Sequence, residues 1–231
     1  MNNIIEQSLK QKRTVLTELE SKKLIAEYGI ETTSINLART EAEAVKLSDN
    51  IGYPVVLKIS SPDITHKSDA GGVKVGLKNA AEVNEAYKNI MTSCLKYCPT
   101  AVVEGITVQN MAKPALEVII GVTTDPQFGP VIMFGLGGVW VEVLKDVVFR
   151  LIPIEKVDAQ KMIREIKGFN LLKGYRGQEP ANVELLENLL LKVSDMVVKN
   201  PEILEMDLNP VFVSKDKAIA VDARVILHNS K

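Results

Sequence analysis

The sequence is poor in the residues that mark specialised environments. It holds two cysteines, two histidines and one tryptophan in 231 residues, and aromatics make up only 5%. Cys94 and Cys98 sit four apart in an expected helix just before Pro99. Two cysteines cannot staple a small secreted scaffold, and a structural zinc site wants four ligands, whereas His66 and His228 are both distant in sequence. The pair reads as reduced thiols. No charge of one sign dominates: 28 Lys and Arg stand against 29 Asp and Glu, a formal net charge of -1. That excludes a strong field toward nucleic acid or an anionic membrane and leaves local basic pockets open. No apolar run approaches the roughly 20 residues of a membrane helix. The opening MNNIIEQSLKQKRTVL has neither the apolar core nor the small-residue cleavage site of an export signal. A cytoplasmic location is therefore expected.

What is present is ordinary for a globular chain, 46% hydrophobic and 25% charged, and long enough for one large domain or two modest lobes. Leu16, Leu19, Leu24 and Ile25 fall at helical spacing, with Gly29 as the stop. Residues 30–37 read as a short strand, and Thr40 with Glu43 three positions on opens a second helix. Residues 55–59 form a buried strand, a polar loop runs over 60–72, and a strand (73–77) and helix (80–97) follow. Beyond Pro99, segments 101–111 and 115–123 look like neighbouring strands, 130–134 and 139–154 are strand-rich, and helices return near 156–167 and 182–199. Two strands, 203–213 and 217–225, complete the reading, with no internal repeat and no low-complexity segment. The fold class is α+β in two lobes. The smaller covers about 26–100 and the larger about 101–228, with residues 1–25 packing against the latter.

The last two strands carry a geometric prediction. The polar turn Ser214-Lys-Asp-Lys217 joins them, and a loop of two or four residues gives one register: Asn209 across from Asp222, and Asp207 across from Arg224. Facing side chains stand about 4.5–5.5 Å apart at Cβ. An amide oxygen and a carboxylate are hard ligands suited to Mg²⁺, which takes one or two protein groups plus waters and phosphates. A hydrogen-bonded surface pair at a strand end satisfies the same pattern.

In the first lobe Lys58 interrupts the apolar run Val55–Ile59. A buried ammonium needs an anion, and a nucleotide phosphate is one; a lysine that snorkels to solvent is the other possibility. The loop that follows contains Gly71-Gly72, which would let backbone amides approach phosphate oxygens closely. The run Gly135-Leu-Gly137-Gly138 is flanked by strands and reads as a tight turn, not a dinucleotide fingerprint. His66 stands in the same loop as Gly71, between Thr65 and Lys67. A neutral imidazole can attack phosphorus and Lys67 can offset the developing charge, but an exposed histidine without a task has the same sequence.

Taken in order, L-x-E-x-E-x-K-x-L-I-A-E-Y-G-I (16–30), G-Y-P-V-V-L-K (52–58), S-P-D-I-x-H-K-S-D-x-G-G-V (61–73), G-L-G-G-V-W-V-E-V-L-K-D (135–146) and D-L-N-P-V (207–211) resemble ATP-grasp proteins. More narrowly, the chain resembles the β subunit of ADP-forming (NDP-forming) acyl-CoA synthetases, typified by archaeal acetyl-CoA synthetase. The resemblance spans nearly the whole chain. It implies an ATP-grasp fold of two α+β lobes with the nucleotide between them, ATP or ADP as substrate, and Mg²⁺. It implies Lys58 on the phosphates, Gln109 to Met111 at the adenine, Glu117 near the ribose, and Asn209 and Asp222 on the metal. His66 matches a transiently phosphorylated histidine, and Asp207 an acidic orienting position. A CoA-binding α subunit, in an α2β2 heterotetramer, is implied as the partner without which turnover is incomplete. Two other readings stay open: a different ATP-grasp carboxylate ligase, which needs no histidine relay, and a non-catalytic nucleotide-binding regulatory subunit.

Overall fold

A computed structural model describes residues 2–64, 66–138, 146–174 and 179–228. In chain order its elements are α1 (Asn3–Lys10), α2 (Glu18–Glu27), β1 (Ile35–Ala38), α3 (Glu41–Ile51), β2 (Val55–Ser60), β3 (Val73–Leu77), α4 (Ala80–Tyr97), β4 (Gly105–Asn110), β5 (Leu116–Asp125), β6 (Gly129–Leu136), β7 (Val147–Leu151), α5 (Lys156–Glu165), α6 (Phe169–Leu172), α7 (Val183–Lys199), β8 (Ile203–Val213), β9 (Ala218–Ala220) and β10 (Arg224–Leu227). They divide into two compact units. The smaller comprises Thr17–Leu19 and Thr33–Lys113, the larger Met1–Leu16, Glu20–Thr32 and Pro114–Lys231.

The small unit is a four-stranded antiparallel sheet in the order β1-β4-β2-β3, with helices α3 and α4. Both helices start on side-chain caps: the Glu43 amide donates to Thr40 Oγ1 at 3.2 Å and the Glu82 amide to Asn79 Oδ1 at 3.0 Å. Val83, Ala86, Tyr87, Ile90 and Cys94 recur every three or four residues along α4, so one face of that helix is buried. The boundary corrects the sequence reading. Segments 101–111 and 115–123 are not neighbours: β4 is inserted between β1 and β2, while β5 lies in the other sheet. The small unit therefore runs to Lys113 instead of ending near 100. A run of alternating apolar residues announces a strand but not which sheet receives it.

The large unit is built on a mixed-length antiparallel sheet ordered β10-β8-β5-β6-β7, with β9 also pairing to β8. Helix α7 is capped by Asn182, whose Oδ1 accepts from the amides of Glu184 and Leu185, and buries Leu186, Leu190, Val193 and Met196 completely. Each such side chain contributes about 1.5–3 kcal/mol relative to exposure. Helix α1 was not anticipated from sequence. Of the expected strand-rich stretch 139–154, residues 139–145 lie outside the described residues, and 147–151 form β7. The expected strand 217–225 is in two pieces, β9 and β10, interrupted at Val221–Ala223. Among the described residues no helix is long and apolar enough to cross a membrane.

Candidate functional site

The small unit gathers its charge around one carboxylate. Lys58 lies on β2, which is paired on both sides: Lys58 faces Val73 on β3 and Thr107 on β4. Its residue is only 7% exposed, so its ammonium requires an anion. That anion is Glu18, at the first position of α2. Lys58 Nζ donates to Glu18 Oε1 at 2.8 Å, and Gln109 Nε2 donates to the same oxygen at 2.9 Å. Lys67 Nζ donates to the other oxygen, Oε2, at 2.6 Å. Thr107 Oγ1 accepts from Gln109 Nε2 at 3.2 Å, and Thr33 Oγ1 donates to Gln109 Oε1 at 3.3 Å. Glu18 thus accepts from two ammonium groups and an amide in a largely desolvated setting, where such contacts are stronger than in water.

The sequence does not single out Glu18. It belongs to the quoted stretch 16–30, but nothing distinguishes it there from Glu20 or Glu27. A strand lysine announces that an acid must exist, not which one. Gln109 is relocated as well. It was expected along an adenine linker, yet it is an inner residue of β4, 2% exposed, with its side chain committed to Glu18 and Thr107. Met111, just past β4, is 39% exposed and is the member of that segment open to contact.

The loop between β2 and β3 is fastened at several points. Ile64 is buried, Asp63 Oδ2 accepts from the Val102 amide at 2.7 Å, and Lys67 is held by Glu18. His66, between Ile64 and Lys67, is exposed. The glycines play a part other than the one expected. The Gly71 amide donates to the Ser68 carbonyl at 3.0 Å and the Gly72 amide to the Lys67 carbonyl at 2.7 Å, so both donors close the turn instead of awaiting a phosphate. Gly72 is needed because a Cβ there would lie 2.6 Å from Ile59 Cγ2 and 2.9 Å from the Lys67 carbonyl.

In the large unit the terminal hairpin has the predicted register through a four-residue loop. Val213 pairs with Ala218, Val211 with Ala220 and Asp207 with Arg224, which sets Asn209 level with Asp222 at the interruption between β9 and β10. Asp207 is pushed above the usual carboxylate range, first by burial and then by the Asp222 charge, with Arg224 acting in the opposite sense. Two mutually repelling carboxylates, with Asn209 level with Asp222 on the neighbouring strand, offer hard oxygen donors of the kind Mg²⁺ takes. Among the described residues no group of three or more His, Cys, Asp and Glu gathers into a metal site, so such a cation would draw its remaining ligands from water and phosphate. Glu117, the second residue of β5, pairs with Phe212, and its carbonyl accepts from the Gly137 amide at 2.8 Å. That contact gives the glycine run a place beside Glu117.

A sequence model of the ATP-grasp domain matches residues 7–227. The chain is 51% identical over 224 residues to the acetate–CoA ligase [ADP-forming] I subunit beta of Pyrococcus furiosus, covering 97% of this chain and 96% of that one. Acetate–CoA ligase [ADP-forming] I of Archaeoglobus fulgidus is 47% identical over 200 residues, which are 87% of this chain but 29% of that longer polypeptide. Among solved structures, the Ca. Korarchaeum cryptofilum dinucleotide-forming acetyl-coenzyme A synthetase 1 in complex with coenzyme A, Ca-AMPCP and HgCl+ superposes with a TM-score of 0.96 at 48% identity, covering 98% of this chain and 99% of that one. The same enzyme with coenzyme A and Mg-AMPPCP, its phosphohistidine segment pointing towards the nucleotide-binding site, superposes at 0.86 with 45% identity, again covering 98% and 99%. The chain belongs to the ATP-grasp domain family and, within it, to the β subunits of ADP-forming acetate–CoA ligases.

Proposed function

We propose that this chain is the nucleotide-binding subunit of an ADP-forming acyl-CoA synthetase, interconverting acyl-CoA, ADP and phosphate with the free acid, ATP and CoA, and that His66 carries the phosphoryl group. The observation that carries the reading is the exposed imidazole on a fastened loop, one residue from an ammonium that shares its carboxylate with Lys58. It is supported by the relative whose phosphohistidine segment points towards its nucleotide site.

In the direction of ATP formation, a CoA-binding α subunit makes acyl phosphate and passes its phosphoryl group to a histidine of its own. A ring nitrogen of His66 then gives its lone pair to that phosphorus while the bond to the partner's histidine breaks. In the second transfer a β-phosphate oxygen of ADP forms the new P–O bond, and the electron pair of the N–P bond returns to the imidazole. Lys58 takes the nucleotide phosphates, Met111 the base and Glu117 the ribose. Asn209 and Asp222 hold Mg²⁺, which when bound supplies charge neutralisation on the phosphates. Asp207 orients groups at the transfer site. The partner assembly is an α2β2 heterotetramer in the cytoplasm.

The test is the complete reaction with the chain co-purified with its larger partner. ATP formation from acyl-CoA, ADP and phosphate should vanish in His66→Ala, and the wild-type chain without its partner should make no acyl-CoA. Unchanged turnover in His66→Ala would remove the relay.

A further inference from the structure

Glu18 makes more contacts than neutralising Lys58 requires. Its Oε1 already accepts from Lys58 at 2.8 Å and from Gln109 at 2.9 Å. Its second oxygen reaches instead to Lys67, at 2.6 Å, the residue that follows His66. The two lysines come from different places, one from the interior of β2 and one from the loop that leaves it. The shared carboxylate is thus a clasp across that loop. The Glu18 and Lys58 side chains are 3% and 8% exposed, so water competes weakly for the bond that sets the spacing.

The remaining fastenings of the loop leave this clasp a distinct task. On one side of His66, Ile64 is buried and Asp63 is tied to the Val102 amide. On the other, the turn closes through Gly72 against the Lys67 carbonyl. These contacts hold the loop's ends and its backbone turn. The Gly72 carbonyl, accepting from the Ile59 amide at 2.8 Å, ties the loop's far end to β2, and the Lys67 side-chain bond to Glu18 adds a tie beside His66 to the carboxylate that also holds Lys58.

We infer that Glu18 is a positioning residue for phosphoryl transfer, acting through Lys67 to hold the His66 loop at a fixed distance from the phosphate-binding lysine. The inference rests on the function proposed above. Reacting atoms in such a transfer must come within about 3–3.5 Å, and a misplacement of about 1 Å costs on the order of 10²-fold in rate. A loop secured only at its ends cannot meet that tolerance.

The experiment follows phosphorylation of His66 in the full chain by Mg·ATP at saturating concentration, read as acid-labile phosphate and located by mass spectrometry. Glu18→Gln should slow labelling about tenfold or more. Lys67→Met, which leaves the Glu18–Lys58 pair and hence the fold in place, should do the same while Mg·ADP affinity by calorimetry stays within about threefold. In the double variant the two losses should not multiply, because both break one bond. Lys67→Arg, which can still reach the carboxylate, should recover most of the rate. Labelling at the wild-type rate in Lys67→Met, or losses that multiply in the double variant, overturns the inference and leaves the proposed function standing. A wild-type chain that takes no phosphate at His66 overturns both.

Discussion

Asp207 lies directly across from Arg224 on adjacent strands, and yet its carboxylate is harder to ionise than an ordinary aspartate. Burial and the Asp222 charge outweigh the guanidinium. Because the folded chain holds this proton more tightly than the unfolded chain, stability from this group falls as pH rises through the ordinary value of 3.8 and beyond, and the penalty is fully present above the folded value. Asp207→Asn should therefore raise the metal-free chain's urea midpoint at neutral pH, and the gain should shrink to nothing as pH drops below about 3.8. Equal midpoints at pH 7 would count against that balance of charges.

The same crowding predicts the behaviour of a cation. Mg·ADP should raise the wild-type Tm, and Asn209→Ala or Asp222→Asn should each weaken Mg·ADP binding by about tenfold or more, roughly the 1.4 kcal/mol of one lost ligand contact. Isothermal titration measures this directly, and ADP titrated in EDTA supplies the control.

Lys58→Met removes one partner of a buried ion pair. Breaking such pairs costs about 3–5 kcal/mol, and the low end is expected because Lys67 and Gln109 remain on Glu18. Denaturant unfolding reads the stability term, and Mg·ADP affinity should fall as well. A variant that keeps both would place the phosphate elsewhere.

Two glycines of one loop-and-strand region should fail for different reasons. Gly72→Ala drives a methyl group into Ile59 and the Lys67 carbonyl, an overpacking cost of about 1–3 kcal/mol. Gly76 has nothing within 4 Å of a Cβ but a φ of +73°, so Gly76→Ala should cost about 1–2 kcal/mol through the backbone alone. Compensating truncation at Ile59 should relieve the first and leave the second unchanged in equilibrium unfolding.

The cysteines should separate in alkylation. Burial pushes the Cys94 thiol up and its Sγ lies 3.7 Å from the Ala70 carbonyl, whereas Cys98 is partly exposed at the end of α4. Iodoacetamide at pH 8 should modify Cys98 first, with Cys94 reacting only as the chain unfolds.

Much of this architecture is legible in the sequence. The helix starting after Thr40 and the register that aligns Asn209 with Asp222 follow from local chemistry: a cap and a turn. Lys58 was visible because a lysine inside an apolar strand is a local contradiction. What escaped depends on long-range pairing. The sheet that takes β4 is chosen by its partners at residues 35–38 and 55–60, and its inclusion moved the boundary between the units. Glu18 meets Lys58 and Gln109 across 40 and 91 residues of sequence, with no local feature to mark it. The glycine pair reads as a phosphate cradle in the sequence because absence of a side chain looks the same whether an oxygen or a neighbouring methyl group fills the space.

Strand β2 is paired along both edges, and its backbone at Lys58 is consequently immovable unless two neighbours shear together. One step of register would carry the ammonium about 3.3 Å, farther than a reactive geometry tolerates. The sheet thus serves as a ruler that fixes where the ammonium stands. An insertion or deletion is least disruptive in the connections, and the register shift already present in β2, between Val55 and Leu57, stops short of Lys58.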